Sequence, residues 1–260
     1  MITVRPIPAL QDNYIWMIQH DKESTVVVVD PGCADSLKNV LQDEQLSLEA
    51  ILITHHHQDH TGGVAELLEI FPSAAVYQPE GITIHDTSKT VGHGDVVSFW
   101  DHSHVLNVIA IPGHTLDHLG YYDDQRVFCG DTLFSSGCGR LFEGSYQQLF
   151  DSLELLANLP RQTSVYCTHE YTLANLAFAE AVEPENSNIA LKKTDVMEKR
   201  ELNHSSLPST IGNELETNPF LRTSQPEVIA AASRFSGVEI TSPLTVFTAL
   251  RRWKDQFVAK

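Results

Sequence analysis

Residues 54–63 read THHHQDHTGG, which places His55, His56, His57, Asp59 and His60 in six consecutive positions after the apolar run AILI at 50–53. In an extended segment, side chains two apart share a face, so His55 and His57 point one way and His56 the other. Asp59 and His60 fall where the chain leaves the strand and turns toward a helix begun at Gly62 and Gly63. Two pairs of ligands therefore leave one strand end, enough to start two metal centres. Neutral imidazole and carboxylate suit zinc, iron or manganese, and the histidine-rich set favours zinc. In a chain with 13 His, an H-x-H-x-D-H match is expected by chance only about 0.002 times. The motif also sits at the end of an apolar strand, where ligand sites are commonly built.

Four ligands from one loop cannot complete two sites. Three further candidates stand at similar strand-to-loop junctions: His114 in VIAIPGHT, Asp131 in RVFCGDT and His169 in SVYCTHE. Asp131 is the most informative, because a carboxylate can bridge two cations while each imidazole closes one sphere. Asp30, ending TVVVVD, is either an acceptor for a ligand imidazole N–H or a plain turn residue. His118 is read as a neighbour of the site, His102 and His104 as surface residues, and Cys138 as packing.

Outward from this nucleus, strands are expected near 2–8, 14–19, 25–30, 50–54, 74–77, 96–100, 105–111, 119–122, 126–129 and 164–168. Helices are expected over 35–45, 63–71 and 146–158. Beyond about residue 172 the pattern turns helical: apolar positions at Leu173, Leu176, Ala177 and Ala181 mark one helix, and 188–202 a second. A polar loop, HSSLPSTIGNELETNPFLR, follows. Two helix starts come after it, at Pro226 and Pro243, the second preceded by the capping residue Ser242. The reading is an α+β domain over 1–171 and a helical domain over 172–260.

Composition narrows the chemistry. The chain has 260 residues and a formal net charge of −17, which argues against nucleic acid and anionic membrane as partners. No apolar run is long enough to span a bilayer, and MITVRPIPALQDNYIW lacks the apolar core of a signal peptide. Four cysteines without a CxxC pair suit a reducing cytosol. A soluble, unprocessed, cytoplasmic monomer is expected.

THHHQDH, PGHT, CGDT and THEYT, in that order, resemble the metallo-β-lactamase superfamily. DNYIW, GCGRLFEG, LPSTIGNELETNPFLR and LRRWKDQF are similar to the glyoxalase II (hydroxyacylglutathione hydrolase) family, and the likeness runs from about Ile2 to Phe257. The resemblance implies a four-layer αββα sandwich with a C-terminal glutathione-binding helical domain. It implies that His55, His57 and His114 hold one divalent metal and Asp59, His60 and His169 a second. Asp131 and a water-derived hydroxide would bridge them, the hydroxide held by Asp59 and Asp131 and attacking the thioester of S-(2-hydroxyacyl)glutathione. The implied glutathione contacts are Arg140, Leu141, Phe142, Tyr171, Arg251, Arg252 and Lys254. Some members carry Tyr where this chain has Phe142, so a hydroxyl contact to the peptide would be missing. The cationic cluster also makes physical sense, since a chain this acidic must concentrate positive charge locally to hold an anionic tripeptide.

Other functions keep part of this pattern. A persulfide dioxygenase or another hydrolase on the same fold would retain most ligands but not explain the NPFLR and RRWK segments. An oxygen-reducing di-iron protein is opposed by His57, and a processing nuclease by the acidic composition. A non-catalytic metal-binding protein would require closed coordination spheres.

Overall fold

A computed structural model describes residues 1–258. The chain divides into two compact units: Met1–Ala110 with Asp117–Gly130, and Ile111–Leu116 with Asp131 onward.

The first unit opens with β1 (Ile2–Ala9), β2 (Asn13–His20) and β3 (Thr25–Val29), paired antiparallel in sequence order. Helix α1 (Ala34–Asp43) leads to β4 (Ser47–Leu52), parallel to β3. Helices α2 (Gln58–Thr61) and α3 (Val64–Ile70) lead to β5 (Ala75–Pro79), and β6 (Lys89–Val91) closes the six-stranded sheet. Val26 and Val28 pack with Leu37 and Leu41 of α1 and Val64 and Leu67 of α3 in one core. Val27 and Val29, on the opposite face, are equally buried. TVVVV is thus covered on both sides, which explains an unbroken β-branched run where a half-exposed strand would alternate.

An antiparallel meander follows: β7 (Val96–Phe99), β8 (His104–Ala110), β9 (Leu119–Tyr122) and β10 (Arg126–Gly130). It joins the first sheet through the Tyr121 hydroxyl, which donates to the Ile53 carbonyl at 2.8 Å, and through the Leu119 N–H, which donates to Thr54 O at 2.8 Å. Both contacts fall on the residues that lead into the histidine cluster.

The second unit contains the short hairpin β11 (Leu133–Phe134) and β12 (Gly137–Cys138), then α4 (Tyr146–Ala157), started by a capping box between Ser145 and Gln148. Next come β13 (Ser164–Cys167), α5 (Thr172–Val182), α6 (Ser187–Glu201) and β14 (Ser209–Thr210), the last paired antiparallel with β13. Helix α7 (Ile211–Thr217), a 3-10 turn at Pro219–Leu221, α8 (Pro226–Ser236) and α9 (Pro243–Gln256) complete it.

The structure corrects the sequence reading at two places. The stretch 204–222, read as a polar loop, contains β14, α7 and the 3-10 turn. Its helix hides from a hydrophobicity pattern because Gly212, Glu214 and Thr217 are among its buried residues. A short helix that the sequence reading lacks, α2, begins at Gln58 with His57 as its N-cap, while the helix expected over 63–71 is present as α3 with Gly63 as its N-cap. Asp59 and His60 are therefore set by helical geometry.

Candidate metal and substrate site

In the first unit, two buried polar residues, Asp30 and Thr54, hold the histidine-rich turn. The Asp30 carboxylate accepts from the Thr54 N–H at 2.8 Å, the Thr54 hydroxyl at 2.7 Å and Nδ1 of His60 at 2.9 Å. The Thr54 oxygen in turn faces Nδ1 of His55 at 3.0 Å. These contacts assign the ring protons of His55 and His60 to Nδ1, which leaves Nε2 as the unprotonated nitrogen of each ring. Nε2 of His55 lies 3.0 Å from Nδ1 of His57, and Nε2 of His60 lies 3.6 Å from Oδ2 of Asp59. His55 and His57 thus share a side. His56 turns away to Oδ1 of Asp117 at 3.0 Å.

Two supports were not foreseen from sequence. Nδ2 of Asn13 donates to Oδ2 of Asp59 at 3.1 Å and approaches its carbonyl at 3.4 Å. Its sequence signal is the segment DNYIW, one of those that resemble the glyoxalase II family. The other support is Gly32, where a Cβ would lie 1.8 Å from Asp59 O. His118 is fully buried and stacks on His55, with centroids 4.6 Å apart and 17° between planes. Its Nδ1 is directed at Leu119 O at 3.1 Å, in keeping with a neighbour's role. His104 is half-buried beside Asp123, with burial lowering its pKa.

In the second unit, Asp131 stands between two imidazoles: its Oδ2 lies 3.5 Å from Nε2 of His114 and 3.3 Å from Nε2 of His169. Nδ1 of His114 donates to Arg140 O at 2.7 Å, again leaving Nε2 as the unprotonated nitrogen. Gly113 precedes it at φ 153, where a Cβ would sit 2.6 Å from Cβ of Leu149. Gly139 lets the Asp131 carbonyl approach, since a Cβ there would lie 1.9 Å from it. Each donor presents a nitrogen or carboxylate oxygen, a set that fits a divalent ion of intermediate hardness.

The residues expected to bind substrate have different surroundings. Tyr171 stacks on His169, centroids 4.7 Å apart and planes 3° apart. Phe142 is 62% exposed, meets His114 edge-on at 5.1 Å and lies under the Arg140 guanidinium at 5.8 Å. Leu141 is part-exposed between them. In α9, Arg252 is exposed over the Tyr146 ring, whereas Arg251 is buried, only 5% exposed. Arg251 donates to Cys138 O at 2.9 Å and pairs with Asp255 at 3.0 Å, so its guanidinium braces the turn before Arg140. Nζ of Lys254 donates to Ala174 O at 2.9 Å, and burial pushes its pKa down to about 8. Burial pushes the Cys138 thiol up, which fits packing and disfavours a thiolate nucleophile.

All four cysteines are unbridged, and no helix among the described residues is long and apolar enough to cross a membrane.

Comparison with known proteins places the chain. Residues 10–169 match the metallo-beta-lactamase superfamily, and residues 170–257 match the family described as hydroxyacylglutathione hydrolase C-terminus. A hydroxyacylglutathione hydrolase of Vibrio cholerae is 48% identical over 99% of this chain and 100% of its own length. One from Nitrosomonas europaea is 45% identical over 99% of this chain and 97% of its own. Among solved structures, ETHE1 from Myxococcus xanthus aligns with TM-score 0.65 and 25% identity over 97% of this chain and 98% of that one. The BLEG-1 B3 metallo-beta-lactamase aligns with TM-score 0.61 and 24% identity over 85% and 99%, a likeness of fold. The expected fold class therefore holds: a metallo-β-lactamase fold of α+β content, with two β-sheets and a C-terminal helical region. With its His and Asp clusters, that fold marks a chain that binds divalent metal. By identity over its whole length, the chain belongs to the hydroxyacylglutathione hydrolase family of the metallo-β-lactamase superfamily.

Proposed function

We propose that the chain hydrolyses the thioester of S-(2-hydroxyacyl)glutathione, S-lactoylglutathione first among them, to glutathione and a 2-hydroxy acid such as lactate. This is the second step of methylglyoxal disposal. The observation that carries the reading is identity of 45–48% to hydroxyacylglutathione hydrolases across both the metal-binding part and the tail.

His55, His57 and His114 would hold one metal, and Asp59, His60 and His169 a second, with Asp131 serving both. The histidine-rich set favours zinc, with iron or manganese also accommodated. Bound there, the two cations would supply a water acidic enough to act as nucleophile near neutral pH and positive charge to offset the oxyanion. The chain's own work is positional. Asp59 and Asp131 orient the attacking oxygen. Arg140, Leu141, Phe142, Tyr171, Arg252 and Lys254 take the glutathione moiety, and Arg251 supports them by bracing the turn that leads to Arg140. Water adds to the carbonyl carbon, the C–S bond breaks, and the departing sulfur takes a proton to become the thiol of glutathione. A metal-binding domain over 1–171, a glutathione-binding domain over 172–260, a monomer and a cytosolic setting belong to this reading. Four unbridged cysteines support the last.

The test is hydrolysis of S-lactoylglutathione by purified protein, with metal content and molar mass measured on the same sample. Efficient turnover with about two metals per chain is expected. Metal-loaded protein that leaves the thioester intact would defeat the proposal, and persulfide oxidation would then be assayed.

A further inference from the structure

The Glu214 side chain in α7 is fully buried, and four donors converge on it. Nζ of Lys192 at 2.6 Å and Oγ of Ser209 reach Oε1. The Ser136 N–H at 2.6 Å and Nδ2 of Asn218 at 3.0 Å reach Oε2. Only an ionised carboxylate can accept from four donors without presenting a proton of its own. Asn218, also fully buried, donates from the same Nδ2 to Phe134 O at 3.2 Å and Gly137 O at 2.8 Å. Its Oδ1 accepts from the Phe220 N–H at 3.1 Å.

Every hairpin contact in this network falls on β11, β12 or the turn between them, where Ser136 has φ 55. Strands of two residues cannot hold a register by their own ladder, so side chains from outside clamp the hairpin: Glu214 and Asn218 at Phe134, Ser136 and Gly137, with Asn175 donating to Ser135 O at 3.1 Å and Arg251 to Cys138 O at 2.9 Å. The hairpin links Asp131 to Arg140 in sequence. Its Phe134 ring meets Tyr171 edge-on at 5.4 Å and His169 at 5.9 Å, walling the stacked pair from one side.

We propose that Glu214 and Asn218 are positioning residues for the thioester site: by clamping the 133–138 hairpin they fix the Phe134 wall against Tyr171 and the entry into Arg140–Phe142. The inference rests on the function proposed above. Neither residue touches substrate in this account.

The experiment compares Asn218→Ser, Phe134→Leu and Lys192→Met with the parent protein. Ser at 218 can still accept from the Phe220 N–H but loses the amide donors. Met at 192 removes the outer partner of Glu214 and leaves the Ser136 and Asn218 contacts. Asn218→Ser and Phe134→Leu are expected to raise KM about tenfold with kcat within about threefold and metal content unchanged. Lys192→Met is expected to lower the melting temperature and leave KM within about twofold. Amide exchange across 133–142 should accelerate in Asn218→Ser and not in Lys192→Met, a readout that needs no substrate. If all three variants lose stability alike with KM and local exchange unmoved, the network is only structural and the inference falls. An inactive parent protein would sink the proposed function instead. Should Asn218→Ser fail to fold, Phe134→Leu with unchanged KM overturns the inference by itself.

Discussion

The two sets of candidate ligands are built by opposite means. His55, His57, Asp59 and His60 come from one turn, and their supports are side chains: Asp30 under His60, Thr54 under His55, Asn13 against Asp59. His114, Asp131 and His169 come from three distant points of the chain. Their supports are largely backbone and packing: the Arg140 carbonyl, the close approaches at Gly113 and Gly139, the Tyr171 ring. The difference predicts how each set fails. A local set held by hydrogen bonds loses metal affinity when a support is removed, while a dispersed set held by chain geometry loses its fold.

The largest effect is expected at the residue that belongs most fully to the dispersed set. Asp131→Ala leaves His114 and His169 without their shared carboxylate and should cost at least about a thousandfold in thioester turnover. Metal analysis by mass spectrometry should show depletion in the same sample. Next is Gly113→Ala, where the new methyl meets Leu149 on a backbone at φ 153. It should destabilise by roughly 3 kcal/mol or more in urea unfolding. A variant as stable as its parent would break the contrast at that point. On the local side, Asp30→Asn keeps the shape and tolerates the positive φ of 53, but turns one of the acceptor oxygens into a donor. Metal affinity should fall about 10- to 100-fold by chelator competition, in a protein that remains folded.

Smaller effects sharpen the comparison within α9. Lys254 is pushed down to about 8 chiefly by burial, with the charge of Arg251 adding to it. Between that value and the ordinary lysine range, the unfolded chain holds a proton that the folded one has lost, so this group makes stability rise with pH across the window. Under the proposed function substrate binding should move the other way, because the anionic glutathione moiety would lose the Lys254 cation. KM should climb several-fold from about pH 7 to about pH 9, and Lys254→Met should flatten that profile. Arg252→Ala should change KM by less than about threefold, since its charge is exposed and screened.

Much of this was legible in the sequence because residue type and spacing carry it. The histidine turn, the strand-end positions of His114, Asp131 and His169, and the continuous valines of β3 are all consequences of local pattern. The supports were less legible. Asp30 stood as an even choice between acceptor and turn residue until its contact with His60 decided it. Asn13 is distant from Asp59 in sequence, and nothing in an isolated Asn tells which backbone or carboxylate it will meet. Helix α7 escaped because its buried face is Glu214 and Thr217 as well as Ile211, and a polar residue paired inside the protein looks like one facing water. The same blindness applies to Arg251: the resemblance implies a side chain that reaches glutathione, yet the guanidinium is engaged by Cys138 O and Asp255.

The missing Cβ at Gly32 also limits how the site can be moved to another scaffold. Because the Asp59 carbonyl occupies the space a side chain would fill, grafting THHHQDH alone would carry the candidate ligands without the surface that seats their turn. The smallest portable piece is discontinuous: the Asp30, Pro31 and Gly32 corner with its aspartate, Asn13 on the neighbouring strand, and the histidine turn itself. A designer who recombines this protein with relatives should keep those three segments from a single parent, and place crossovers elsewhere.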